Sequence, residues 1–469
     1  MKKIILFLIL ICTADYSYGQ FNRLDVSTVN SIDSIINAHK AAHNWVGMSV
    51  GIVVNGEIAF LDGYGLASPG IDADELSVYR VASNTKSMTA VLILKLAEMG
   101  LLTLEDFVWQ HVPEYPSTYP KNLIKIKHLL SNESGIAKYT ECDSTGDTPI
   151  DILARDSYIA SHGNYYDPVA AIEHFKDQPL CFIPGSNYHY STWGFCLLAA
   201  VVEKVSGMSF QDFFYNTIVC PMNMPTLQIE FQDRVPYPYE VSQYKYVGGT
   251  WSCASCLTTA ATTSTLHPAD ISYKMGGGGS IASVIDMALY MQGLVNNVFI
   301  NSSSLTLMGT SHSSTPVFGD STRTSTYGYA FHRSSDNAGN RVYRHGGDQT
   351  GTSTYLRVSP ITKHGVVVMF NTQRVDQRNP LCQDLYNLLS SATLSPSPVF
   401  SPILYTWDVP PTSTHINPGT YESNYQINST GQVHNGDNTQ LKANKKIYLK
   451  TGFEAVQGSH FKVKVNNCD

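Results

Sequence analysis

The spacing of apolar residues changes several times along this chain, and each change predicts an element. From 31 to 42, apolar residues recur at the spacing that is typical of an amphipathic helix. Two runs rich in β-forming residues follow at 48–54 and 57–61, separated only by Asn55 and Gly56. Both residues of an Asn-Gly pair tolerate positive φ, so this pattern predicts a tight hairpin of two strands.

The second half of the chain carries further strands. Runs at 341–345, 352–358 and 365–371 are rich in β-forming residues, and the amphipathic segment 381–389 predicts a helix after them. Between the two strand groups lie segments of helical character, at 83–99, 124–130, 193–205 and 283–295. This order predicts an α/β (α+β) fold of two lobes, in which early and late strands close one antiparallel sheet beside a mainly helical lobe. We expect a binding cleft where the lobes meet.

Both ends of the chain differ in composition from this central part. Residues 1–19 begin with two lysines, continue with a short apolar run and end in small residues, which predicts a signal peptide cut near Gly19. That apolar run is shorter than the ~20 residues of a spanning helix. Pro and Ser concentrate at 395–412, which predicts a linker. Residues 413–469 alternate Gly and Asn with β-formers, which predicts a small all-β module.

Composition and charge narrow the function further. The 469 residues are 43% hydrophobic and carry a formal net charge of -7, without a block rich in Lys and Arg, so nucleic acid is not an expected partner. No later segment is long and apolar enough to be an integral membrane helix. We therefore expect a secreted, periplasmic or cell-surface protein. The eight cysteines after the signal peptide can pair in such a compartment, but the sequence assigns no pairing, and the C-x-x-C at 253–256 predicts only a local disulfide or two small buried side chains.

Candidate chemistry begins with Ser83 and Lys86, which share one face of a predicted helix. The following turns are apolar nearly all round, so this helix should be buried and the pKa of Lys86 lowered toward that of a usable base. A backbone N–H at the helix N-terminus can also donate to an oxyanion. The alternative makes Ser83 a helix cap and Lys86 a solvated residue. The same spacing at 242–245 and at 459–462 is interpreted as chance.

Further motifs follow in a fixed order along the chain. They are Pro-Gly-Ser-Asn-Tyr-His-Tyr-Ser-Thr at 184–192, four glycines at 276–279 and Arg-His-Gly-Gly-Asp at 344–348, with His-Leu-Leu-Ser-Asn-Glu-Ser-Gly-Ile at 128–136 and Tyr-Gly-Tyr at 327–329 in support. Over about residues 30–392 the chain resembles the serine β-lactamase and D,D-peptidase superfamily, nearest its class C, D-aminopeptidase and esterase branches. The resemblance implies a β-lactamase-like serine hydrolase domain over 20–394.

The resemblance also implies roles for individual residues. Ser83 would be the acylated nucleophile and Lys86 its proton acceptor. Tyr190 would pass a proton to the leaving group and later activate water, with its pKa lowered by nearby Lys86. Tyr188 is a rival by proximity, and a core aromatic with a satisfied hydroxyl is the alternative for Tyr190.

The same resemblance assigns substrate contacts. His345 and Gly347 match the family's strand motif, and the backbone N–H of Asp348 would be the second oxyanion donor beside that of Ser83. Thr192 stands where the family usually has Asn, and its shorter side chain puts peptide-like recognition in question. His345 stands where dedicated β-lactamases usually keep Lys, and a largely uncharged histidine holds a carboxylate less firmly. The departure at His345 favours a peptidase or esterase over a resistance enzyme.

Other polar residues predict no further chemistry. Four histidines lack metal-ligand spacing and are interpreted as solvent-exposed loop residues: His162, His174, His189 and His332. The four glycines at 276–279 are not followed by Gly-Lys-Ser/Thr, so they predict a tight loop against the cleft. No metal and no cofactor are expected.

Three functions therefore remain open. The leading expectation is hydrolysis of peptides or related amides that contain a D-amino acid. The first alternative is a small-ester esterase, and the second is a catalytically silent protein that binds cell-wall fragments. The C-terminal module resembles the stacked-strand appendages of secreted Bacteroidetes proteins through residues 447–455, which implies association with the cell surface.

Overall fold

The computed structural model describes residues 21–395, except for 44, 140–141, 143–164, 232–238, 248–249, 256–269, 311–315, 318–319, 325, 374 and 376. Beyond 395 it describes strand residues between 406 and 465. The predicted signal peptide over 1–19 lies outside these residues. Across the described ranges, no single helix could span a membrane by length and composition, although the bent pair of Thr192–Ser206 and Phe210–Met222 meets the criteria jointly.

The strands of the main domain are numbered in chain order. They are β1 (Phe21–Asn22), β2 (Gly47–Val54), β3 (Glu57–Ser68), β4 (Ile71–Asp72), β5 (Val78–Arg80), β6 (Gln228–Ile229), β7 (Gln243–Val247), β8 (Thr250–Ser255), β9 (Ser280–Ser283), β10 (Pro316–Val317), β11 (Asp320–Thr324), β12 (His332–Ser335), β13 (Arg341–Gln349), β14 (Thr352–Val358) and β15 (Gly365–Phe370).

The main sheet joins strands from the two ends of the domain. Its order is β1-β3-β2-β15-β14-β13-β12, all antiparallel, with β4 attached to β3. The predicted hairpin is confirmed, and Asn55 and Gly56 have the positive φ values of 54° and 81° that its tight turn requires. The pairing of β2 with β15 confirms that early and late segments close one sheet. A second, smaller sheet has the order β5-β9-β6.

The α-helices are also numbered in chain order. They are α1 (Val26–His43), α2 (Thr85–Glu98), α3 (Val108–His111), α4 (Ile126–Leu130), α5 (Thr192–Ser206), α6 (Phe210–Phe214), α7 (Cys220–Met222), α8 (Met275–Gly278), α9 (Val284–Val295), α10 (Ser302–Met308) and α11 (Arg378–Leu388). The helices predicted at 31–42, 83–99, 124–130, 193–205, 283–295 and 381–389 are therefore present, with shifted ends.

The central strand β15 is buried on both faces, because successive residues point to opposite sides of a sheet. Val366 and Val368 pack with Ile36 of α1 and Leu385 of α11 in one apolar cluster. Val367 belongs to a larger cluster on the opposite face, which includes α2, α5 and α9. The helical lobe thus packs on one face of the sheet. The cleft expected between the lobes lies at the start of α2.

The glycine run at 276–279 lies against this cleft, but the prediction of a loop is wrong. Gly276, Gly277 and Gly278 form most of the short helix α8, which packs on α2 and α5. A Cβ atom on Gly276 would lie 2.6 Å from the backbone oxygen of Phe195, and one on Gly277 would lie 2.9 Å from that of Thr192. The glycines are needed because two helical backbones approach closely here.

The C-terminal strands pair in parallel. They are β16 (Thr406–Asp408), β17 (Gly419–Ser423), β18 (Gln426–Ser429), β19 (Gln432–Val433), β20 (Asn438–Ala443), β21 (Lys446–Leu449), β22 (Glu454–Ala455) and β23 (His460–Val465). Three sheets result, with the orders β16-β18-β21, β17-β20-β23 and β19-β22. Strand β16 lies inside the segment predicted as a linker, so strand pairing begins earlier than the composition indicates.

Cysteines occur in both bonded and free forms in the described part of the chain. Cys142 and Cys181 form a disulfide, and Cys220 is also disulfide-bonded. Cys196 and Cys382 are buried free thiols. The side chains of the C-x-x-C at 253–256 lie outside the described residues.

Candidate active site

Ser83 lies in a single 3₁₀ turn, Ala82–Asn84, between β5 and α2. The residue before it, Ala82, has a φ of 51°, in the left-handed region that costs a non-glycine residue about 1–2 kcal/mol. Two hydrogen bonds hold this conformation: Thr85 Oγ1 donates to the Ala82 oxygen at 2.7 Å, and Thr354 Oγ1 donates to the Val81 oxygen at 3.0 Å. The strained turn presents Ser83, which is only partly buried, to the cleft.

Lys86 is completely buried, as the apolar surroundings in the sequence predicted. Its Nζ lies 3.0 Å from Ser83 Oγ and donates a hydrogen bond to the Gly277 oxygen at 2.5 Å. Burial holds the pKa of this amine well below its usual range, and the positive charges of Lys274 and Lys138 lower it further. A neutral amine can therefore keep its donation to Gly277 and accept a proton from Ser83.

Tyr190 completes a group of three polar side chains. Its phenol hydrogen-bonds with Ser83, and Lys86 Nζ lies 4.9 Å from its ring centroid. The expected lowering of its pKa is wrong: burial raises the pKa of Tyr190 well above its usual value, and the bond from Ser83 offsets this only partly. The resting phenol is thus protonated. The rival Tyr188 packs against Tyr327, with ring centroids 5.8 Å apart.

The motif at 128–136 positions Tyr190 through its backbone. Asn132 adopts a positive φ of 61° and its Oδ1 accepts from the backbone N–H of Ser191 at 3.0 Å. Ser191 in turn caps α5, since its Oγ accepts from the Gly194 N–H at 3.0 Å. Tyr190 is therefore fixed between an asparagine loop and the start of a buried helix.

Strand β13 forms the opposite wall of the cleft. His345 is 2% exposed, its Nδ1 donates to the Gly346 oxygen at 2.7 Å, and its Nε2 lies 3.0 Å from the Tyr327 hydroxyl. Burial holds the pKa of His345 well below its usual value, so the ring is neutral and Nε2 accepts from Tyr327. A Cβ atom on Gly347 would lie 2.8 Å from the Val81 oxygen, so only glycine lets this strand pack on the turn that carries Ser83.

The side chain of Asp348 is held by residues of β14 and α11. Its carboxylate accepts from Ser353 Oγ at 2.6 Å and pairs with Arg378. The role that the sequence assigned to Asp348 concerns its backbone N–H and does not involve this carboxylate. Arg344 is the last residue of β13 that pairs with β12. After Arg344, the described residues place no further strand along this side of β13.

Thr192, the first residue of α5, lies beside Gly277 and is 2% exposed. Its hydroxyl donates to the Tyr139 phenol at 3.3 Å, so it is engaged before any substrate arrives. Tyr139 and its neighbour Lys138, whose Nζ lies 6.0 Å from the Tyr190 ring centroid, were missed in the sequence. Their position just after the Ser-Gly of the motif at 128–136 is the signal that could have found them.

The prediction of solvent-exposed histidines is wrong for those that the structure describes in full. His174 stacks on Trp193 with ring centroids 6.0 Å apart, and its Nε2 lies 2.6 Å from the Tyr165 hydroxyl. His332 lies on β12 with its ring centroid 4.8 Å from that of Tyr327, and burial lowers its pKa to about 4. His189 is half-buried, and His162 lies outside the described residues. In the described part of the chain, no three His, Cys, Asp or Glu side chains form a possible metal site.

The fold and this site together place a candidate serine nucleophile beside a buried amine in a mixed α/β domain. Comparison with known proteins then shows that the chain belongs to the beta-lactamase family, whose model matches residues 32–389. Protein flp of Staphylococcus aureus (strain COL) is 32% identical over 206 residues, which are 43% of this chain and only 38% of that protein.

Solved structures share the fold at lower identity. The octameric penicillin-binding protein homologue from Pyrococcus abyssi has a TM-score of 0.60 and 23% identity, covering 77% of each chain. The D-amino acid amidase from Ochrobactrum anthropi has a TM-score of 0.60 and 16% identity, covering 78% of this chain and 99% of its own. Identities this low show the fold alone.

Proposed function

We propose that this protein is an exported hydrolase that forms an acyl-enzyme on Ser83 and cleaves peptides or related amides containing a D-amino acid. One observation carries the proposal: Ser83 Oγ is shared between a buried amine of lowered pKa and a protonated phenol. The amine can take a proton from the nucleophile, and the phenol can give one to a leaving group. The shared fold of the D-amino acid amidase supports an amide substrate of D configuration.

Acylation begins when Ser83 Oγ attacks the substrate carbonyl carbon. Its proton passes to the neutral Lys86 amine 3.0 Å away as the new C–O bond forms. The carbonyl electron pair moves onto oxygen, and the backbone N–H groups of Ser83 and Asp348 would stabilise that oxyanion. The arrangement is preorganised, because the turn of Ser83 and the strand of Asp348 are in contact through Gly347.

Breakdown of the intermediate needs an acid, and Tyr190 fits that role. The C–N bond breaks, the leaving nitrogen takes the phenol proton, and the Lys86 ammonium, 4.9 Å from the ring centroid, returns a proton to the phenolate. Water then attacks the acyl-enzyme, gives one proton to the site and releases a carboxylic acid, which restores the Ser83 hydroxyl. The raised pKa of Tyr190 suits this step because the phenol stays protonated until it is used.

The test is covalent labelling followed by intact-mass analysis. We expect a fluorescent fluorophosphonate or penicillin to add one probe mass to the protein, and Ser83→Ala to abolish it. Ser242→Ala is the matched control, because Ser242 has the same spacing to a lysine but its Oγ donates to Ser68 Oγ, away from the site. Absence of labelling by both probe classes would refute the acyl-enzyme and favour the silent binding protein.

Thr192 favours ester hydrolysis as the second candidate function. Its hydroxyl is already bonded to Tyr139, so it offers the substrate less than the asparagine amide usual in the family. An ester needs less help, because its alkoxide leaving group departs more readily than an amide nitrogen. Turnover of D-alanyl peptides alongside short-chain nitrophenyl esters separates the two: activity confined to esters refutes the peptide substrate.

A further inference from the structure

A cleft of about 730 Å³ lies away from the candidate active site. Its walls come from the β12–β13 hairpin, from α10 and from the turn between β14 and β15. Arg341 lines it and precedes His345 by four positions on β13, so the two residues lie roughly 13 Å apart along the strand. The cleft therefore lies at the N-terminal end of β13, and His345 lies at the middle of the same strand.

The charge of this cleft has one sign. Arg333, Arg341 and Lys363 line it, and no Asp or Glu does. Within the described ranges, none of these three cations forms an ion pair. On a chain of net charge -7, three such cations facing one concave surface create a local positive potential that attracts anions.

Two of the cations are held in place by the hairpin. Arg333 is paired with Tyr343, and Arg341 with Ser335, so the two arginines are diagonal neighbours on one face, about 7–8 Å apart at their backbones. Arg341 hydrogen-bonds with the Tyr343 phenol, whose hydroxyl donates to the Leu305 oxygen at 3.1 Å. The guanidinium is thereby fixed before a ligand arrives, which lowers the entropic cost of binding.

The third cation is presented by a strained residue. Lys363 has a φ of 54°, a conformation rare for a side chain larger than hydrogen outside Asn and Asp. Its Nζ donates to Asn296 Oδ1 at 3.2 Å, which directs it along the rim of the cleft. Strain at an exposed turn is retained where the surrounding structure or a function needs the side chain there.

The uncharged residues that line the cleft indicate which class of anion it binds. Hydroxyl and amide groups, including those of Ser335 and Asn340, alternate with the apolar surfaces of Pro360 and Ile361. Ile361 is 65% exposed, so its apolar surface is open to a ligand. Sugar rings combine hydroxyl edges with apolar C–H faces, so a glycan matches both kinds of surface, whereas a bare phosphate would use only the cations.

We propose that this cleft binds an acidic glycan, whose carboxylate or phosphate groups meet Arg333, Arg341 and Lys363 and whose sugar rings lie on Pro360 and Ile361. The proposed glycan site lies apart from the candidate active site, and this proposal does not depend on the proposed hydrolysis. Its effect would be to hold the protein on a polymeric acidic surface while the active site remains open.

The test is fluorescence anisotropy at low salt with the purified full chain. The probes are a labelled oligogalacturonate, which carries carboxylates, and a labelled phosphomannan oligosaccharide, with a neutral mannan oligosaccharide and polyglutamate as comparisons. We expect one or both acidic glycans to bind at least about tenfold more tightly than either comparison. Whichever acidic probe binds identifies the anionic group.

Variants place the binding in the cleft. Arg333→Gln with Arg341→Gln should weaken binding about tenfold or more, since each removes a charge-assisted hydrogen bond. Lys363→Gln, at an exposed turn where folding is not at risk, should weaken it about threefold, and Ile361→Ser should do the same through the sugar face. Lys176→Gln, which removes a half-buried lysine paired with Glu173 elsewhere in the molecule, should change nothing. Equal affinity of wild type and Lys363→Gln, or equal binding of polyglutamate and acidic glycans, would overturn the proposal.

Discussion

Arg80 and Lys86 lie six positions apart, and both cationic side chains are buried, at 3% and 0% exposure. Arg80 meets a carboxylate, because its Nε and Nη2 donate to the two carboxylate oxygens of Glu230 at 2.8 and 2.7 Å. Lys86 meets the Ser83 hydroxyl and the Gly277 carbonyl instead. Among the described residues, no carboxylate forms an ion pair with Lys86.

The difference between the two residues shows that burial alone does not determine whether a cationic side chain stays charged. A guanidinium stays charged in any protein environment, so a buried arginine needs a carboxylate, and Arg80 uses Glu230 to join β5 to the segment after β6. An amine can lose its proton, so a buried lysine without an opposite charge becomes neutral and basic. The partner of a buried cation, rather than its burial, therefore separates a residue that joins two segments from one that can accept a proton.

The largest expected effect follows from removing the amine. Lys86→Met should slow fluorophosphonate labelling about 10³-fold or more, because Ser83 loses its proton acceptor. The free energy of unfolding should not fall, since the variant no longer buries an amine without an opposite charge. Urea denaturation beside the labelling rate checks both statements.

The pH dependence of stability sharpens this prediction. The pKa of Lys86 is lower in the folded state than in the unfolded chain, so the unfolded chain binds the extra proton between those two values. The stability gain of Lys86→Met should therefore be largest at low pH and vanish as the pH approaches about 10.4. Lys245→Met, at the matching spacing in β7, serves as the control and should label at nearly the normal rate. Normal labelling of Lys86→Met would show that Lys86 is not the proton acceptor and would refute its contrast with Arg80.

A smaller effect is expected at the paired cation. Glu230→Gln leaves the Arg80 charge buried beside a neutral amide and should lower the free energy of unfolding by about 3 kcal/mol. The double variant Arg80→Met with Glu230→Leu should recover most of that loss. Glu114→Gln breaks the exposed pair with Lys204 and should cost less than about 1 kcal/mol. Urea denaturation of all three variants measures these changes in the free energy of unfolding. If Glu230→Gln and the double variant lost the same free energy, the unpaired Arg80 charge would not be the cause of the loss.

Local pattern predicted most of the fold and part of the site. Asn55 and Gly56 marked the hairpin, and the ordered motifs brought Ser83, Lys86 and Tyr190 into one group, because a family resemblance carries long-range contacts that spacing does not. The apolar turns after Ser83 predicted the burial of Lys86 correctly. The hairpin and the burial of Lys86 depend on signals within a few residues of one another, whereas the grouping of Tyr190 with Ser83 depended on the resemblance.

The failures concern environments assembled from distant segments. The pKa of Tyr190 was expected to be lowered by one nearby amine, but burial dominates, and burial is a property of the folded molecule. His174 packs on Trp193 of α5, nineteen positions later in the sequence, so its immediate neighbours gave no sign of this contact. Glu230 meets Arg80 across 150 positions of sequence, and neither residue stands out in a local pattern.

The smallest expected effect tests how finely Lys86 is tuned. Lys138 adds a positive charge near the site and lowers the pKa of Lys86, although less than burial does. Labelling should rise with pH as Lys86 loses its proton, and Lys138→Gln should move that rise slightly to higher pH, because a partly solvated charge is strongly screened. Lys204→Gln, at an exposed pair on another surface, should leave the profile in place. If the rise in labelling moved to lower pH in Lys138→Gln, the proton acceptor would not be a cationic acid such as Lys86. The contrast between a paired Arg80 and a proton-accepting Lys86 would then be wrong.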